Sequence, residues 1–115
     1  MSFKQITHTL ATAGVEETIY TVPTGKEYVL FRTRARDMGE AVVTFKRNST
    51  IFSTLTIPQM YSGYGVAKSN CMKDVLTAGT VIKASSTVAS TFAEVFGLEL
   101  PAGTWATVGT NPRTA

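Results

Sequence analysis

Apolar and polar residues alternate through most of the chain, and the alternation stops at short segments rich in Gly, Pro, Asn and Ser. A period of two residues places successive side chains on opposite faces of a strand. No window keeps apolar residues at the helical spacing of i, i+3, i+4 and i+7. Thr, Val and Ile, which suit a pleated surface better than a helix, dominate the alternating segments. The pattern predicts about eight or nine short strands separated by turns.

The alternation predicts an all-β fold, an antiparallel β-sandwich that is jelly-roll-like, with an immunoglobulin-like sandwich as the alternative. We expect residues 1–115 to form one domain, with extended segments at about residues 1–12 and 101–115. The segment 59–71 is the least regular, and we predict that it is a functional loop. The predicted strands cover residues 3–12, 15–22, 26–36, 41–46, 50–57, 81–84, 91–100 and 105–108.

One turn motif occurs three times, each time before a predicted strand. Its glycines are Gly25, Gly79 and Gly103, within VPTGK, LTAGT and LPAGT. We predict that they are turn glycines with positive φ, which glycine adopts at low steric cost.

Two sets of side chains are predicted to face the core. The first lies in residues 26–36 and consists of Val29, Phe31, Thr33 and Ala35. The second lies near the end of the stretch 76–100 and consists of Phe92, Phe96, Leu98 and Leu100, with a bulge expected at Gly97.

The composition narrows the functional classes. Hydrophobic residues make up 43% of the 115 residues, charged residues 17%, and the net charge is +3. A chain of this size can bury a core without disulfides, and the single Cys71 cannot form one within the chain. The amino terminus lacks the features of a secretory signal, and no segment approaches the ~20 apolar residues of a membrane span. We therefore expect a protein made in a cytoplasm and not bound to a membrane.

No residue set predicts an enzyme, a metal site or a cofactor. His8 has no carboxylate or cysteine near it in the sequence, and we expect it to be an exposed strand residue. Glu16 and Glu17 point to opposite faces of a strand, as do Glu94 and Glu99, so neither pair can flank one substrate. We expect no catalytic residues and no cofactors.

Two sets of side chains are candidates for partner contact. Arg32, Arg34 and Arg36 alternate on one strand face, where they can meet cross-strand glutamates, a protein partner or nucleic acid. The basic residues are scattered, so direct nucleic-acid binding is not expected. Aromatic residues in or beside loops can pack locally or stack on sugars; these are Tyr61, Tyr64 and Trp105.

From about Val15 to Leu100 the chain contains a strand, a (V/L)P(T/A)G(K/T) turn, an alternating strand, and later LTAGTVIKAS followed by FAEVFGLEL. This arrangement resembles small β-sandwich structural proteins of tailed-bacteriophage virions, most closely capsid decoration (cementing) proteins. Those proteins repeat an "aGd-x-I-x-a" strand and a closing "v-x-G-x-E" strand. The matching residues are Ala78, Gly79, Thr80, Ile82, Ala84, Val95, Gly97 and Glu99. Thr80 stands where an acidic residue is commoner.

The resemblance implies a virion protein on the capsid exterior, assembled in the host cytoplasm, whose partner is the major capsid protein. It also implies a homo-oligomer, a dimer or trimer. We expect Phe3 and Trp105 in the terminal segments to be apolar anchors, and the arginines to meet acidic capsid loops. A phage neck or tail component, or a carbohydrate-binding module that binds a surface glycan, is the alternative.

Overall fold

The computed structural model describes residues 2–37, 40–58 and 66–105, most of which lie in strands. The strands are β1 (Ser2–Leu10), β2 (Glu17–Thr21), β3 (Lys26–Asp37), β4 (Ala41–Arg47), β5 (Thr50–Ile57), β6 (Val66–Leu76), β7 (Val81–Ser86) and β8 (Thr91–Pro101). They form two antiparallel four-stranded sheets, sheet I with the order β1-β8-β3-β6 and sheet II with the order β2-β7-β4-β5. The predicted all-β sandwich is confirmed.

The strand pairing follows the nested pattern of a jelly roll. The first half of the chain pairs with the second half in reverse order: β1 with β8, β2 with β7, β3 with β6, and β4 with β5. These pairs alternate between the two sheets, as if one long hairpin had been folded across itself. The pairs β3–β8 and β4–β7 complete the sheets. This double-sheet, eight-stranded order matches the jelly roll and not the immunoglobulin-like alternative.

A β-bulge at Phe31 divides β3 into two halves. Leu30 pairs with Gly97 and Arg32 pairs with Phe96, so Phe31 has no counterpart in β8. An extra residue in one strand reverses which alternate side chains face the core. The bulge expected at Gly97 is therefore found opposite that residue, on the neighbouring strand.

The bulge corrects the predicted core face of β3. Before the bulge, Tyr28 and Leu30 face the core. After the bulge, Ala35 faces the core and Thr33 forms a hydrogen bond with sheet II. The Thr33 hydroxyl lies 3.0 Å from that of Ser53 in β5, and both side chains are buried. The prediction was therefore right for Thr33 and Ala35. Val29 is fully buried but lies on the opposite face of β3, and Phe31 is the partly buried bulge residue, because strict alternation does not foresee an inserted residue.

The predicted buried face of β8 is only partly confirmed, because Phe96 and Leu100 are buried but lie on the face that points away from sheet II. The small residues Ala93 and Val95 belong to the core cluster. Phe92, Phe96, Leu98 and Leu100 do share one face, but alternation from Val95 places that face outward. Phe92 remains 39% exposed, whereas Phe96 is buried beneath arginine side chains.

The three recurrent turns behave as predicted. Gly25, Gly79 and Gly103 all have positive φ, with values of 79°, 87° and 84°. Backbone hydrogen bonds tie the turns together: the Gly79 N–H donates to Val22 at 2.9 Å, and the Ala102 N–H donates to Gly25 at 3.0 Å. The repeated motif therefore closes one end of the sandwich.

The strand predicted over residues 3–12 is β1, which pairs with β8 throughout Ser2–Leu10, so the segment expected to extend from the domain lies within sheet I. The predicted functional loop differs from expectation. Residues 66–71 of the predicted functional loop belong to β6, which pairs with β3. Their sequence is polar and gives no alternating signal, so an edge strand resembled a loop. Residues 59–65 of that loop lie outside the described residues.

Candidate functional site

Sheet I carries arginine and phenylalanine side chains on the face that points away from sheet II. Thr33 and Ala35 of β3 point inward, as do Ala93 and Val95 of β8, so the intervening residues point outward. We call this outer surface the arginine face; it comprises Arg32, Arg34, Arg36, Phe92, Glu94 and Phe96.

Glu94 lies at the centre of the arginine face and is only 1% exposed. Arg34, its direct cross-strand neighbour, donates to both carboxylate oxygens, from Nε at 3.1 Å and from Nη2 at 2.7 Å. Arg36 donates from Nε at 2.9 Å. From β1, Gln5 donates at 3.0 Å and Thr7 at 3.4 Å. The carboxylate is therefore held by side chains from the strands on both sides of β8.

The same contacts determine the ionisation of Glu94. Burial raises the pKa of its carboxyl group, but the hydrogen bonds and positive charges of Arg34 and Arg36 outweigh burial and hold the pKa below its ordinary value. The group is thus an anion at neutral pH. The bidentate contact also fixes the Arg34 guanidinium in one orientation.

Arg32 differs from the other two arginines because it contacts an aromatic ring but no carboxylate of the described residues. Its guanidinium carbon lies 4.2 Å from the centroid of Phe96, and among the described residues no carboxylate is within ion-pair distance of it. Arg34 lies over the same ring at 5.2 Å, and Arg36 lies over Phe92 at 4.9 Å. The face therefore alternates cations with rings, and Arg32 retains its N–H donors for a partner.

The other predicted contact residues have separate locations. Phe3 is 62% exposed on β1, in the same sheet as the arginine face. Trp105 follows β8 and is half-buried; its backbone N–H donates to Glu27 at 2.6 Å, and the Lys73 ammonium lies 5.6 Å from its ring. These contacts attach it to β3 and β6, and its role as an apolar anchor stays a prediction. Tyr61 and Tyr64 lie outside the described residues.

His8 lies on β1 as expected, but it is only partly exposed and has a carboxylate partner. Its Nε2 lies 2.9 Å from Oε1 of Glu17, and the imidazole is only partly exposed. Glu17 also accepts from the Ala11 N–H at 3.1 Å. The turn between β1 and β2 brings the two side chains together, which sequence separation alone did not indicate. The contact between His8 and Glu17 stabilises the turn between β1 and β2.

A second polar cluster lies between the sheets. Tyr20 donates to Glu99 at 2.6 Å, and Lys4 donates to the same oxygen at 3.1 Å. These two hydrogen bonds lower the pKa of Glu99. The hydroxyl of Tyr28 donates to the Lys4 carbonyl at 2.7 Å. The cluster is internally satisfied and joins β1, β2, β3 and β8.

The predicted possibility of cross-strand glutamate partners for the arginine stripe is borne out for Arg34 and Arg36, but the sequence did not identify Glu94 as that partner. Sequence reasoning considered this residue only as half of a carboxylate pair with Glu99, and the two do face apart as expected. The useful signal was the arginine stripe itself, because three adjacent cations favour a counter-charge on a neighbouring strand. Glu94 is the acidic residue whose alternation matches that requirement.

No group of three or more His, Cys, Asp or Glu side chains suited to a metal is present in residues 2–37, 40–58 and 66–105. No helix within those same ranges has the length and apolar character that a membrane crossing requires. No protein-family model matches the chain, and no curated protein matches it significantly.

Proposed function

We propose that the protein is a structural component of a tailed-bacteriophage virion that binds the outside of the capsid and stabilises it. The arginine face is the observation that carries this proposal, because it is an organised, outward surface with unused donors. The resemblance of β7 and β8 to virion β-sandwich proteins suggests the setting. The jelly-roll order, a recurrent architecture of viral capsid domains, is compatible with it.

Charge indicates the kind of surface that the arginine face fits. Three arginines contribute +3 and Glu94 contributes −1, which leaves +2 within the face. The side chain of Arg36 is 45% exposed and that of Arg34 is 30% exposed. A surface with acidic loops would be electrostatically complementary to this net positive charge, and we propose that the major capsid protein provides that surface.

The packing of the face favours binding at low entropic cost. Arg34 is already held by Glu94, and Arg32 and Arg36 already lie on aromatic rings. Less rotamer freedom is lost on docking when side chains are pre-organised. Arginine and aromatic residues are also enriched among interface residues that dominate affinity. Phe92, half covered by Arg36, supplies an apolar contact beside the charges.

The mode of attachment differs from an arm-based one. Since Ser2–Leu10 is a strand of sheet I and Leu10 is fully buried, removing residues 1–10 would damage the fold. The rigid face and not the amino terminus is the proposed contact. A capsid repeats the same acidic surface many times, so linked copies would gain affinity from simultaneous attachment.

Co-sedimentation with purified empty capsids tests the proposal. Arg32→Glu is expected to weaken binding at least roughly tenfold, because it reverses a charge that has no carboxylate partner among the described residues. Lys83→Glu is the matched control: it makes the same charge change on sheet II, at a side chain that is 34% exposed. Equal binding by Arg32→Glu and the wild type would contradict the proposed role of the face.

Copy number in purified particles separates the virion roles. Hundreds of copies would fit decoration, whereas a single ring of copies would fit a neck or tail component. The carbohydrate-binding alternative stays a prediction based on Tyr61 and Tyr64. Sugar binding on a glycan array that is lost in Tyr64→Ala, without capsid binding, would favour that alternative.

A further inference from the structure

The four edge strands of the sandwich differ in how regular they are. The register of β2 shifts between Thr18 and Tyr20, that of β5 shifts opposite Phe45 and Lys46, and that of β6 shifts between Cys71 and Asp74. Such irregularities hinder pairing with another chain. In contrast, β1 pairs residue for residue with β8 over all nine of its residues, without a shift.

Strand β1 also lacks the other features that protect an edge. Its sequence, SFKQITHTL, contains no proline and only one residue that is always charged at neutral pH. That residue, Lys4, is bonded to Glu99 at 3.1 Å. His8 is likewise engaged by Glu17. The large apolar side chain of Phe3 is 62% exposed on this strand.

Two hydrogen bonds reveal which backbone groups of β1 point to its free side. The carbonyl of Leu10 accepts from Ser90, which immediately precedes β8, at 2.8 Å. The carbonyl of Lys4 accepts from Tyr28, which approaches from the side of β8 and β3. Because backbone groups alternate in direction along an antiparallel strand, the N–H and C=O groups of the odd-numbered residues point away from β8. These residues are Phe3, Gln5, Thr7 and Thr9.

We propose that β1 of one copy pairs antiparallel with β1 of a second copy, about a two-fold axis at Ile6. This register places Phe3 opposite Thr9 and Gln5 opposite Thr7, with Ile6 opposite itself. Each pair joins two odd or two even residues, so the outward backbone groups meet each other. It engages the full length of the strand and places no two lysines opposite each other.

The dimer would have a defined geometry. Antiparallel pairing within one sheet puts the two-fold axis perpendicular to that sheet, so the two sheets I become one continuous sheet of eight strands, four from each copy. The two arginine faces then lie on the same side. The pairing rests on the backbone of β1 and does not depend on the proposed capsid partner.

The full-length chain and two double variants test this pairing by sedimentation over a concentration series. Phe3→Lys with Thr9→Lys places like charges opposite each other at both ends of the paired strands. Phe3→Lys with Thr9→Glu changes the same positions but places opposite charges together. We expect a wild-type dimer that dissociates within roughly the micromolar range, because one strand pair is a small interface.

The comparison of the two double variants identifies the register. We expect the Lys/Glu variant to dimerise at least roughly tenfold more tightly than the Lys/Lys variant. A wild-type chain that stays monomeric throughout the series would overturn the proposal. So would a dimer that associates equally in both variants, since the two β1 edges could not then be paired as described. Circular dichroism confirms that both variants retain the β-fold, because positions 3 and 9 are exposed.

Discussion

The two halves of β3, before and after the Phe31 bulge, are built in opposite ways. In the first half both faces are closed: Tyr28 and Leu30 fill the core, and Val29 on the other face is also fully buried. In the second half only the inner face is closed, and the outer face carries the three arginines. One inserted residue thus separates a rigid end of the strand from a surface available to a partner.

This difference shows how the fold supports an exposed charged surface. The first half is constrained by backbone and ring packing at Gly97, whereas the second is held by ion pairs around Glu94. Steric constraint and charge pairing respond to different perturbations: the first to added volume, the second to pH and to loss of one charge. Each half can therefore be disturbed while the other is left intact.

Gly97→Ala is expected to be the most damaging change, and it acts on the first half. A Cβ at this position would lie 2.3 Å from the Val29 carbonyl oxygen and 2.7 Å from Cζ of Tyr28. Neither the backbone nor the enclosed ring can move away easily, so we expect a loss of about 3 kcal/mol or more in the free energy of unfolding. Urea denaturation followed by fluorescence measures it.

Gly103→Ala is the matched control for that substitution. Gly103 has a positive φ of 84°, but a Cβ there would meet nothing within 4 Å. Only backbone strain is added, at a cost of about 1 kcal/mol. Equal losses for the two variants would show that Gly97 is not sterically constrained and that the first half is loosely packed.

Glu94→Gln is expected to have the next largest effect, and it acts on the second half. At neutral pH we expect a loss of about 2 kcal/mol in the free energy of unfolding, less than for a fully buried ion pair because both arginines are partly exposed. The pKa of Glu94 is lowered in the folded state, so its contribution is fully present above its ordinary value of 4.5 and is lost as pH falls through the folded pKa.

The difference between wild type and Glu94→Gln isolates this residue from other carboxylates. Glu16, Glu17 and Glu99 also have lowered pKa values, and their contributions weaken in acid in both proteins. Denaturation is therefore measured for both proteins at neutral pH and at successively lower pH, and their free energies of unfolding should become equal as the pH falls. A gap that stays constant below the folded pKa would mean that the carboxylate charge is not what stabilises the face.

Local sequence features predicted much of this architecture. Alternation located most strands, and the three glycine turns were correct because positive φ is a local requirement. The face of the arginine stripe was also correct, since Arg32, Arg34 and Arg36 follow the bulge and alternate regularly. These features depend on neighbours within a few residues.

Features that depend on distant residues were not predicted. The Phe31 bulge is defined by its register against β8, about 65 residues later in the chain, so alternation could not place it. The outward face of Phe92 and Phe96 was missed for a related reason. Phenylalanine is expected in a core, yet here arginines from the neighbouring strand cover the rings. The contact of His8 with Glu17 likewise requires the β1–β2 turn.

Arg32→Ala is expected to have the smallest effect on folding, and it distinguishes the arginines from one another. Its contact is with the Phe96 ring, so its removal should cost less than about 1 kcal/mol. Arg34→Ala should cost more, because it leaves the 1% exposed Glu94 without its bidentate partner.

Thermal denaturation of both variants, paired with capsid co-sedimentation, compares stability with binding. A stable Arg32→Ala that has lost binding would assign Arg32 to the partner and Arg34 to the fold. If Arg32→Ala instead destabilised the domain as much as Arg34→Ala, Arg32 would be a structural residue, and the second half of β3 would lose its distinction from the first.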